Sequence, residues 1–219
     1  MNGQTWRIEV GGDPTSAIYE PANERQRGVF VCAHGAGGNM NDRAMAATAK
    51  AMREIGLGVV RFNFLYKEKG RGGPDPMPKL MACYKAVVDH ARSAVKSKQL
   101  IIGGRSMGGR TASMLAADGL DADGLLLLAY PLHPPGQHDK LRVEHLPSIT
   151  MPVLCFNGTR DAFCEPTLMK NALENVRTRW TMHWIQDADH GFRVPKKTGR
   201  TDADVLREIQ TATAKWLEG

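Results

Sequence analysis

The chain has 219 residues, of which 42% are hydrophobic and 24% are charged, a composition typical of one well-filled globular domain. No apolar run approaches the roughly 18 residues that a membrane helix needs, and the segment Met1–Arg7 lacks the basic start and apolar core of a secretory signal. We therefore predict a single domain over residues 1–219, in the cytoplasm and without membrane association, with an oligomeric state that the sequence does not indicate.

The formal net charge of +6 raises the question of a nucleic-acid partner. The basic residues are spread along the chain, and the densest patch, Arg193–Arg200, is short and carries no continuous stripe with interleaved aromatics. We expect no nucleic-acid binding. The cysteines are Cys32, Cys83, Cys155 and Cys164, and they show neither C-x-x-C spacing nor a zinc-ligand pattern. Free thiols in a reducing compartment and no bound metal are therefore expected.

Strand-like and helical segments alternate along most of the chain, which predicts an α/β fold: a mainly parallel central sheet with helices on both faces. The connection between Ala129 and Val153 is too short for a large cap domain, and residues 65–78, rich in Gly, Pro and charge, predict a flexible loop. The predicted strands are 5–10, 16–19, 28–33, 58–64, 100–102, 124–129, 153–156 and 180–185, and the predicted helices end near residues 54, 96, 118, 176 and 218.

The stretch Gly104-Arg-Ser-Met-Gly108 lies between a predicted strand and a predicted helix. A serine at such a sharp turn has strained backbone geometry, and its neighbours two positions away must be small so that strand and helix can pass closely. The helix that follows directs free backbone N–H groups at whatever the serine attacks. The pattern therefore predicts a nucleophile at Ser106.

Three other predicted strands end in polar, glycine-flanked loops, and in a parallel sheet the carboxyl ends of the strands form the site. These loops are residues 34–39, which begin with His34-Gly-Ala-Gly, and the segments that contain Asp161 and His190. The chain order Ser, Asp, His is that of the α/β-hydrolase triad. Asp187 and Asp189 are rival acids, but they lie too close in sequence to His190 to reach its far side easily.

Four motifs together resemble the α/β-hydrolases: Gly-Arg-Ser-Met-Gly-Gly, Tyr-Pro-Leu-His-Pro-Pro-Gly, Asn-Gly-Thr-Arg-Asp and Ala-Asp-His-Gly-Phe. The chain looks most similar to the small, uncapped branch related to dienelactone hydrolases, within it to testis-expressed and NSL-complex-subunit-like proteins, and the resemblance runs from about residue 28 to the C-terminus. Dienelactone hydrolases have a cysteine nucleophile where this chain has Ser106, so their substrate class is not implied.

Each residue of this set has a chemical role that fits its type. A serine needs a base to take its proton as it attacks, and histidine titrates near neutral pH, which suits His190 to that task. Asp161 is expected to accept the second ring N–H and fix the tautomer. The backbone N–H groups of Met107 and Ala36 are expected to form the oxyanion hole.

Five further residues are candidates for binding the substrate: His34, Gly35, Tyr66, Arg105 and His133. For His34 a structural role, holding the oxyanion loop by a hydrogen bond, is the favoured interpretation. A rigid turn is an equal alternative for His133. Arg105 immediately precedes the nucleophile and is a candidate for binding an anionic acyl group, although this position more often packs into the protein.

The sequence thus predicts a serine hydrolase without a cofactor that cleaves a carboxylic ester or thioester, a small molecule, through an acyl-enzyme. One alternative is a peptidase-like or C–C-bond hydrolase that uses the same triad. Another is a non-catalytic scaffold that retains the fold as an interaction module. A complete set of nucleophile, base, acid and oxyanion loop argues against a scaffold, which has no use for all four.

Overall fold

One eight-stranded sheet runs through residues 3–219, which are the residues that the computed structural model describes; Met1 and Asn2 of the N-terminal segment lie outside them. The strand order is β1-β2-β4-β3-β5-β6-β7-β8. β1 pairs with β2, and β2 with β4, in antiparallel fashion, whereas the other neighbours are parallel, so the predicted mainly parallel sheet is confirmed. The strands are β1 Gln4–Val10, β2 Asp13–Glu20, β3 Gly28–Ala33, β4 Leu57–Phe62, β5 Leu100–Arg105, β6 Gly124–Leu128, β7 Val153–Gly158 and β8 Trp180–Ile185.

Helices cover both faces of the sheet. All six residues of β3 are buried, because Val29, Val31 and Ala33 point into one hydrophobic core while Phe30 and Cys32 point into the other. α1 and α6 pack together on one face, and α3 and α4 on the other. The helices are α1 Arg43–Glu54, α2 Leu65–Glu68, α3 Met77–Ala94, α4 Met107–Ala117, α5 Pro166–Leu173 and α6 Asp202–Trp216.

The structure extends β5 to Arg105, three residues beyond the predicted end of that strand. Gly103 and Gly104 have little intrinsic strand preference, but here they let the backbones of neighbouring strands come unusually close. A Cβ atom at Gly103 would collide with the carbonyl oxygen of Leu126, and one at Gly104 with that of Ala33. The extension carries the chain to the turn at Ser106.

Two connections also differ from the prediction. β2 begins at Asp13 because Gly11 and Gly12, with φ of 57° and 90°, make a two-residue hairpin. The predicted loop 65–78 begins with the short helix α2. This helix is held at the end of β4 because Nδ2 of Asn63, the residue after that strand, donates to Glu68 Oε1 at 2.8 Å. The Ser16 N–H of β2 also donates to Glu68 Oε1 at 3.2 Å, and local composition does not reveal this contact because the two residues are 52 positions apart.

The connection between β6 and β7 contains one 3-10 turn, Leu146–Ser148, and no cap domain covers the carboxyl end of the sheet within residues 3–219. This agrees with the predicted uncapped fold. No helix in the same range is long and apolar enough to cross a membrane.

Candidate active site

Ser106 lies at the turn between β5 and α4, at the carboxyl edge of the sheet. Its backbone has φ 50° and ψ −118°, a conformation that costs a non-glycine residue about 1–3 kcal/mol and is held by the surrounding structure. The Ser106 N–H donates to the carbonyl of Leu128 at 2.8 Å. A Cβ at Gly108 would lie 2.6 Å from the carbonyl oxygens of both Ala33 and His34, so the glycine lets α4 pass against the end of β3.

His190 lies within hydrogen-bond distance of both other residues of the predicted triad, Ser106 and Asp161. His190 Nε2 is 2.8 Å from Ser106 Oγ, and His190 Nδ1 is 2.9 Å from each carboxylate oxygen of Asp161. An ionised carboxylate only accepts hydrogen bonds, so Nδ1 carries the ring proton and Nε2 is left to accept the serine hydroxyl. The imidazole is therefore oriented to take a proton from Ser106.

Other groups hold the carboxylate of Asp161 in place. Its side chain has no exposed surface. Asn157 Nδ2 donates to Oδ2 at 3.0 Å, and the backbone N–H of Phe163 donates to Oδ1 at 2.8 Å. The Phe163 ring lies against the His190 ring, with centroids 4.3 Å apart. Asp161 is thus buried but satisfied, as a charged group in a protein interior must be.

Backbone hydrogen bonds join the loop of Asp161 to the loop of His190. The Thr159 N–H donates to Ile185 O at 3.1 Å, and the Arg160 N–H donates to Ala188 O at 2.9 Å. Gly158 permits this contact, because a Cβ there would collide with the carbonyl of Ala188. The two functional side chains therefore have a fixed relative position.

Neither rival acid is hydrogen-bonded to the His190 ring. Asp189 Oδ1 accepts the backbone N–H groups of Gly191 at 2.7 Å and Arg193 at 2.9 Å, which shapes the turn around His190. Asp187 has a positive φ of 60°, and its N–H donates to Thr159 Oγ1 at 2.8 Å. These contacts favour Asp161 as the partner of the imidazole.

The glycine-rich loop after β3 lies beside Ser106. A Cβ at Gly35 would be 3.6 Å from the Ser106 Cβ, and Ala36 lines the same cavity as Ser106 and Met107. Met107 is the first residue of α4, so its N–H has no carbonyl partner inside the helix. The two residues predicted to supply the oxyanion donors therefore line the same cavity as Ser106.

His34 and Tyr66 support this loop from behind. The imidazole of His34 accepts the Phe64 N–H on Nε2 at 3.2 Å and donates from Nδ1 to Gly35 O at 2.7 Å. Burial lowers its pKa, so the neutral ring is favoured. The Tyr66 hydroxyl donates to Ala36 O at 2.7 Å. Both residues are fully buried. For His34 this is the structural role that the sequence favoured, whereas Tyr66, a candidate for contact with substrate, instead holds the loop.

Arg105 and His133 have the packing roles that the sequence left open as alternatives to substrate binding. Arg105 donates to the carbonyl of His190 at 3.3 Å and lies over the Phe192 ring, 5.2 Å from its centroid, in a different cavity from that of Ser106. His133 is buried, and its Nε2 accepts the Glu165 N–H at 3.2 Å. Arg105 thus steadies the His190 loop and His133 a turn, and neither lines the cavity at the serine.

A cavity of about 330 Å³ opens at Ser106. Larger surface grooves of about 720 and 740 Å³ occur elsewhere but contain none of Ser106, Asp161 and His190, so the smaller cavity is the relevant one. The Ser106 cavity is lined by Ala36, Pro74, Asp75, Met77, Leu80, Ser106, Met107, Arg110, Pro131, Arg142 and Phe163.

Within the described chain, no group of three or more His, Cys, Asp or Glu side chains is arranged to hold a metal ion. The four cysteines are free and buried. Burial raises the pKa of Cys32 to about 12 and also raises that of Cys164, so both thiols are protonated at neutral pH.

Several residues of the site were missed by the sequence reasoning. Asn157 carries one detectable signal, since it is a polar residue directly after an apolar strand segment and four positions before Asp161. Asp75, Arg142 and Phe163 carry none. They come from loops whose approach to Ser106 depends on how the chain is packed.

Solved structures with the same fold include an alpha-beta serine hydrolase homologue from Coxiella burnetii, with 20% identity, a TM-score of 0.79 and coverage of 98% of this chain and 97% of that one. XC6422 from Xanthomonas campestris, described as a serine hydrolase without lid, has 22% identity, a TM-score of 0.77 and coverage of 100% and 97%. A dienelactone hydrolase from Anabaena variabilis has 17% identity, a TM-score of 0.75 and coverage of 99% and 97%.

These likenesses support the resemblance to the uncapped α/β-hydrolases, whereas the finer similarity to testis-expressed and NSL-complex-subunit-like proteins stays a prediction. The sequence also matches a family model, described as an alpha/beta hydrolase domain, over residues 26–218. That match spans nearly all of the chain and includes all the residues assembled around Ser106. This protein therefore belongs to the alpha/beta hydrolase family.

Proposed function

We propose that this protein is a serine hydrolase that cleaves a carboxylic ester or thioester through an acyl-enzyme. The observation that carries the proposal is the continuous line of hydrogen bonds from Ser106 to His190 at 2.8 Å and from His190 to Asp161 at 2.9 Å. Its chemistry matches the needs of acyl transfer, in which a weak hydroxyl nucleophile must be deprotonated as it attacks.

In the proposed reaction, Ser106 Oγ attacks the carbonyl carbon while His190 Nε2 takes the hydroxyl proton. Asp161 accepts the Nδ1 hydrogen and stabilises the imidazolium that results. Collapse of the tetrahedral intermediate expels the alcohol or thiol, which receives the proton from His190. Water, deprotonated by the same imidazole, then hydrolyses the acyl-enzyme and releases the acid.

The oxyanion of each tetrahedral intermediate would be bound by the backbone N–H groups of Met107 and Ala36. One such donor typically lowers the barrier by about 3–4 kcal/mol. The contacts of His34 and Tyr66 with the Gly35 and Ala36 carbonyls support this assignment, because they restrain the peptide that carries one donor. No cofactor or metal takes part in the proposed reaction.

The strained backbone of Ser106 favours an enzyme over a scaffold of the same fold. A residue held at φ 50° reduces stability, and a protein that only binds a partner gains nothing from that strain. In a nucleophile, the same conformation projects the hydroxyl from the turn toward the substrate.

A fluorophosphonate probe, which reacts with activated serines, tests the proposal. We expect stoichiometric labelling of the wild type and none of Ser106→Ala, with Ser93→Ala, a change at an exposed serine of α3, labelled as the wild type is. Circular dichroism verifies that each variant is folded. Absence of labelling in folded wild-type protein, or labelling that persists in Ser106→Ala, would overturn the proposal.

A further inference from the structure

Two arginines line the Ser106 cavity, and the reaction proposed above uses neither of them. Arg110 lies one turn along α4 from Ser106, since its N–H donates to Ser106 O at 2.9 Å. Helical side chains lean toward the helix N-terminus, so that of Arg110 extends toward the nucleophile's end of α4. Arg142 reaches the cavity from the connection between β6 and β7.

Arg142 is held firmly in this position. Its backbone N–H donates to Leu132 O at 2.8 Å, and its carbonyl accepts the Tyr130 hydroxyl at 2.6 Å. One guanidinium nitrogen, Nη1, donates to Pro131 O at 3.2 Å. A group held in this way loses little further freedom when it binds a ligand.

The positive charges of these arginines are not balanced inside the described chain. Neither guanidinium forms an ion pair with a carboxylate of residues 3–219, and Arg110 Nε is buried without a hydrogen-bond partner. Asp75 is the one carboxylate among the lining residues; its Oδ1 is paired with Arg71, and its Oδ2 is buried without a hydrogen-bond partner. The cavity beside the nucleophile therefore has two unpaired cations.

The neighbouring groups leave this charge in place. Burial, and then the charge of Arg110, lowers the pKa of His145 to about 4, so that histidine is neutral at pH 7. Burial and the charge of Arg110 also lower the pKa of Arg142, as expected for two like charges that line the same cavity. Arginine stays protonated at neutral pH in spite of such shifts, and an anion bound between or beside two half-buried like charges offsets their mutual repulsion.

We propose that Arg110 and Arg142 form a subsite that selects substrates bearing a carboxylate close to the scissile ester. A guanidinium fork matches the planar geometry of a carboxylate and binds it with charge-assisted hydrogen bonds. The sequence suggested that Arg105 binds an anionic acyl group; in this proposal Arg110 and Arg142 bind the anion instead. This inference rests on the proposed function and names its substrate class.

Rigid ester pairs test the subsite, because a para carboxylate cannot attack its own ester. On the alcohol side, 4-acetoxybenzoate is compared with neutral 4-acetoxybenzamide. On the acyl side, the 4-nitrophenyl monoester of terephthalic acid is compared with 4-nitrophenyl 4-carbamoylbenzoate. We expect kcat/KM to favour the anionic member of at least one pair by about 10- to 100-fold, the usual effect of a hydrogen bond to a charged group.

Arg142→Gln and Arg110→Gln are each expected to lower that preference, the ratio of kcat/KM for the anionic ester to kcat/KM for its neutral partner, by about tenfold. Arg207→Gln, at an exposed arginine of α6, serves as the charge-matched control and should keep the wild-type preference. If the wild type does not discriminate within either pair, or if both cavity variants discriminate as it does, the subsite is overturned.

Hydrolysis of the neutral esters tests the proposed function, and the preference for the anionic esters tests the subsite. Failure of one proposal can therefore be distinguished from failure of the other. If no ester is hydrolysed, Ser106→Ala and its double variant with Arg142→Gln are titrated with 4-carbamoylbenzoate and with neutral terephthalamide by calorimetry. Binding of the anion alone, weakened by Arg142→Gln, supports the subsite even then. Equal affinity for both compounds overturns it.

Discussion

At the scale of single residues, the arrangement around Asp161 explains why this aspartate, and neither of its rivals, faces the imidazole. Its carboxylate lies just after the end of β7 and accepts hydrogen bonds from Asn157 and Phe163 in addition to the one from His190. Asp189 uses its carboxylate to build the next turn. A carboxylate already oriented by two donors can present its remaining lone pairs only in a fixed direction.

Asp161→Asn should lower kcat/KM for a p-nitrophenyl ester by about 10³- to 10⁴-fold, because an amide no longer selects the tautomer in which Nε2 accepts the serine proton. Steady-state kinetics measure this, with urea unfolding to show that the variant remains folded. Asp187→Asn is the matched control and should retain activity. If Asp187→Asn loses most of its activity and Asp161→Asn does not, then Asp187 and not Asp161 is the acid of the triad.

At the scale of elements, β5, the turn and α4 act as one unit whose glycines are required for different reasons. Gly103 and Gly104 let β5 run close to its neighbours, while Gly108 lets α4 cross the end of β3. Because each close approach is to backbone rather than to a flexible side chain, an added methyl group cannot be accommodated by a rotamer change.

Gly108→Ala should therefore reduce the free energy of unfolding by about 1–3 kcal/mol, the usual effect of overpacking, and should also weaken fluorophosphonate labelling, since α4 carries Ser106 and Met107. Urea denaturation and probe labelling measure the two effects. Gly72→Ala, at an exposed glycine with no atom within 4 Å of the added Cβ, should change neither. A Gly108 variant as stable and as reactive as the wild type would contradict the close packing described here.

At the scale of the whole molecule, the sheet carries its site on an open edge. The connection from β6 to β7, where hydrolases of this fold can insert a lid, holds only a 3-10 turn, and the cavity at Ser106 has a volume of about 330 Å³. Each methylene of the substrate's acyl chain stabilises binding by about 0.8 kcal/mol only if the cavity encloses it. Methylenes beyond its wall remain in water.

Short esters should accordingly be better substrates than long ones: kcat/KM for p-nitrophenyl acetate or butyrate should exceed that for the laurate. With tributyrin, the rate should rise smoothly through the solubility limit, since no lid has to open at an interface. The comparison uses initial rates of the wild type from which the rate measured with the Ser106→Ala protein has been subtracted. A steady increase with acyl length, or a sharp rise at the solubility limit, would contradict an open, shallow site.

The sequence alone determined most of the strands and helices and the order of the reactive groups. β3 and β8 match their predicted bounds because they are short apolar segments bounded by loops, and that pattern is local. The turn at Ser106 was equally visible, because its glycines are required by the geometry of the turn itself. Ser, Asp and His then follow from chemistry and from the rule that parallel strands direct their carboxyl ends to one edge.

Only the tertiary structure decided what surrounds those groups. Arg105, adjacent to Ser106 in sequence, turns away to bind the His190 loop, whereas Arg142 joins the serine's cavity from 36 positions along the chain. Neighbours in a strand point to opposite faces, and loops from distant strands converge. Which charges face the substrate is therefore a property of packing and burial, which no local pattern in the chain records.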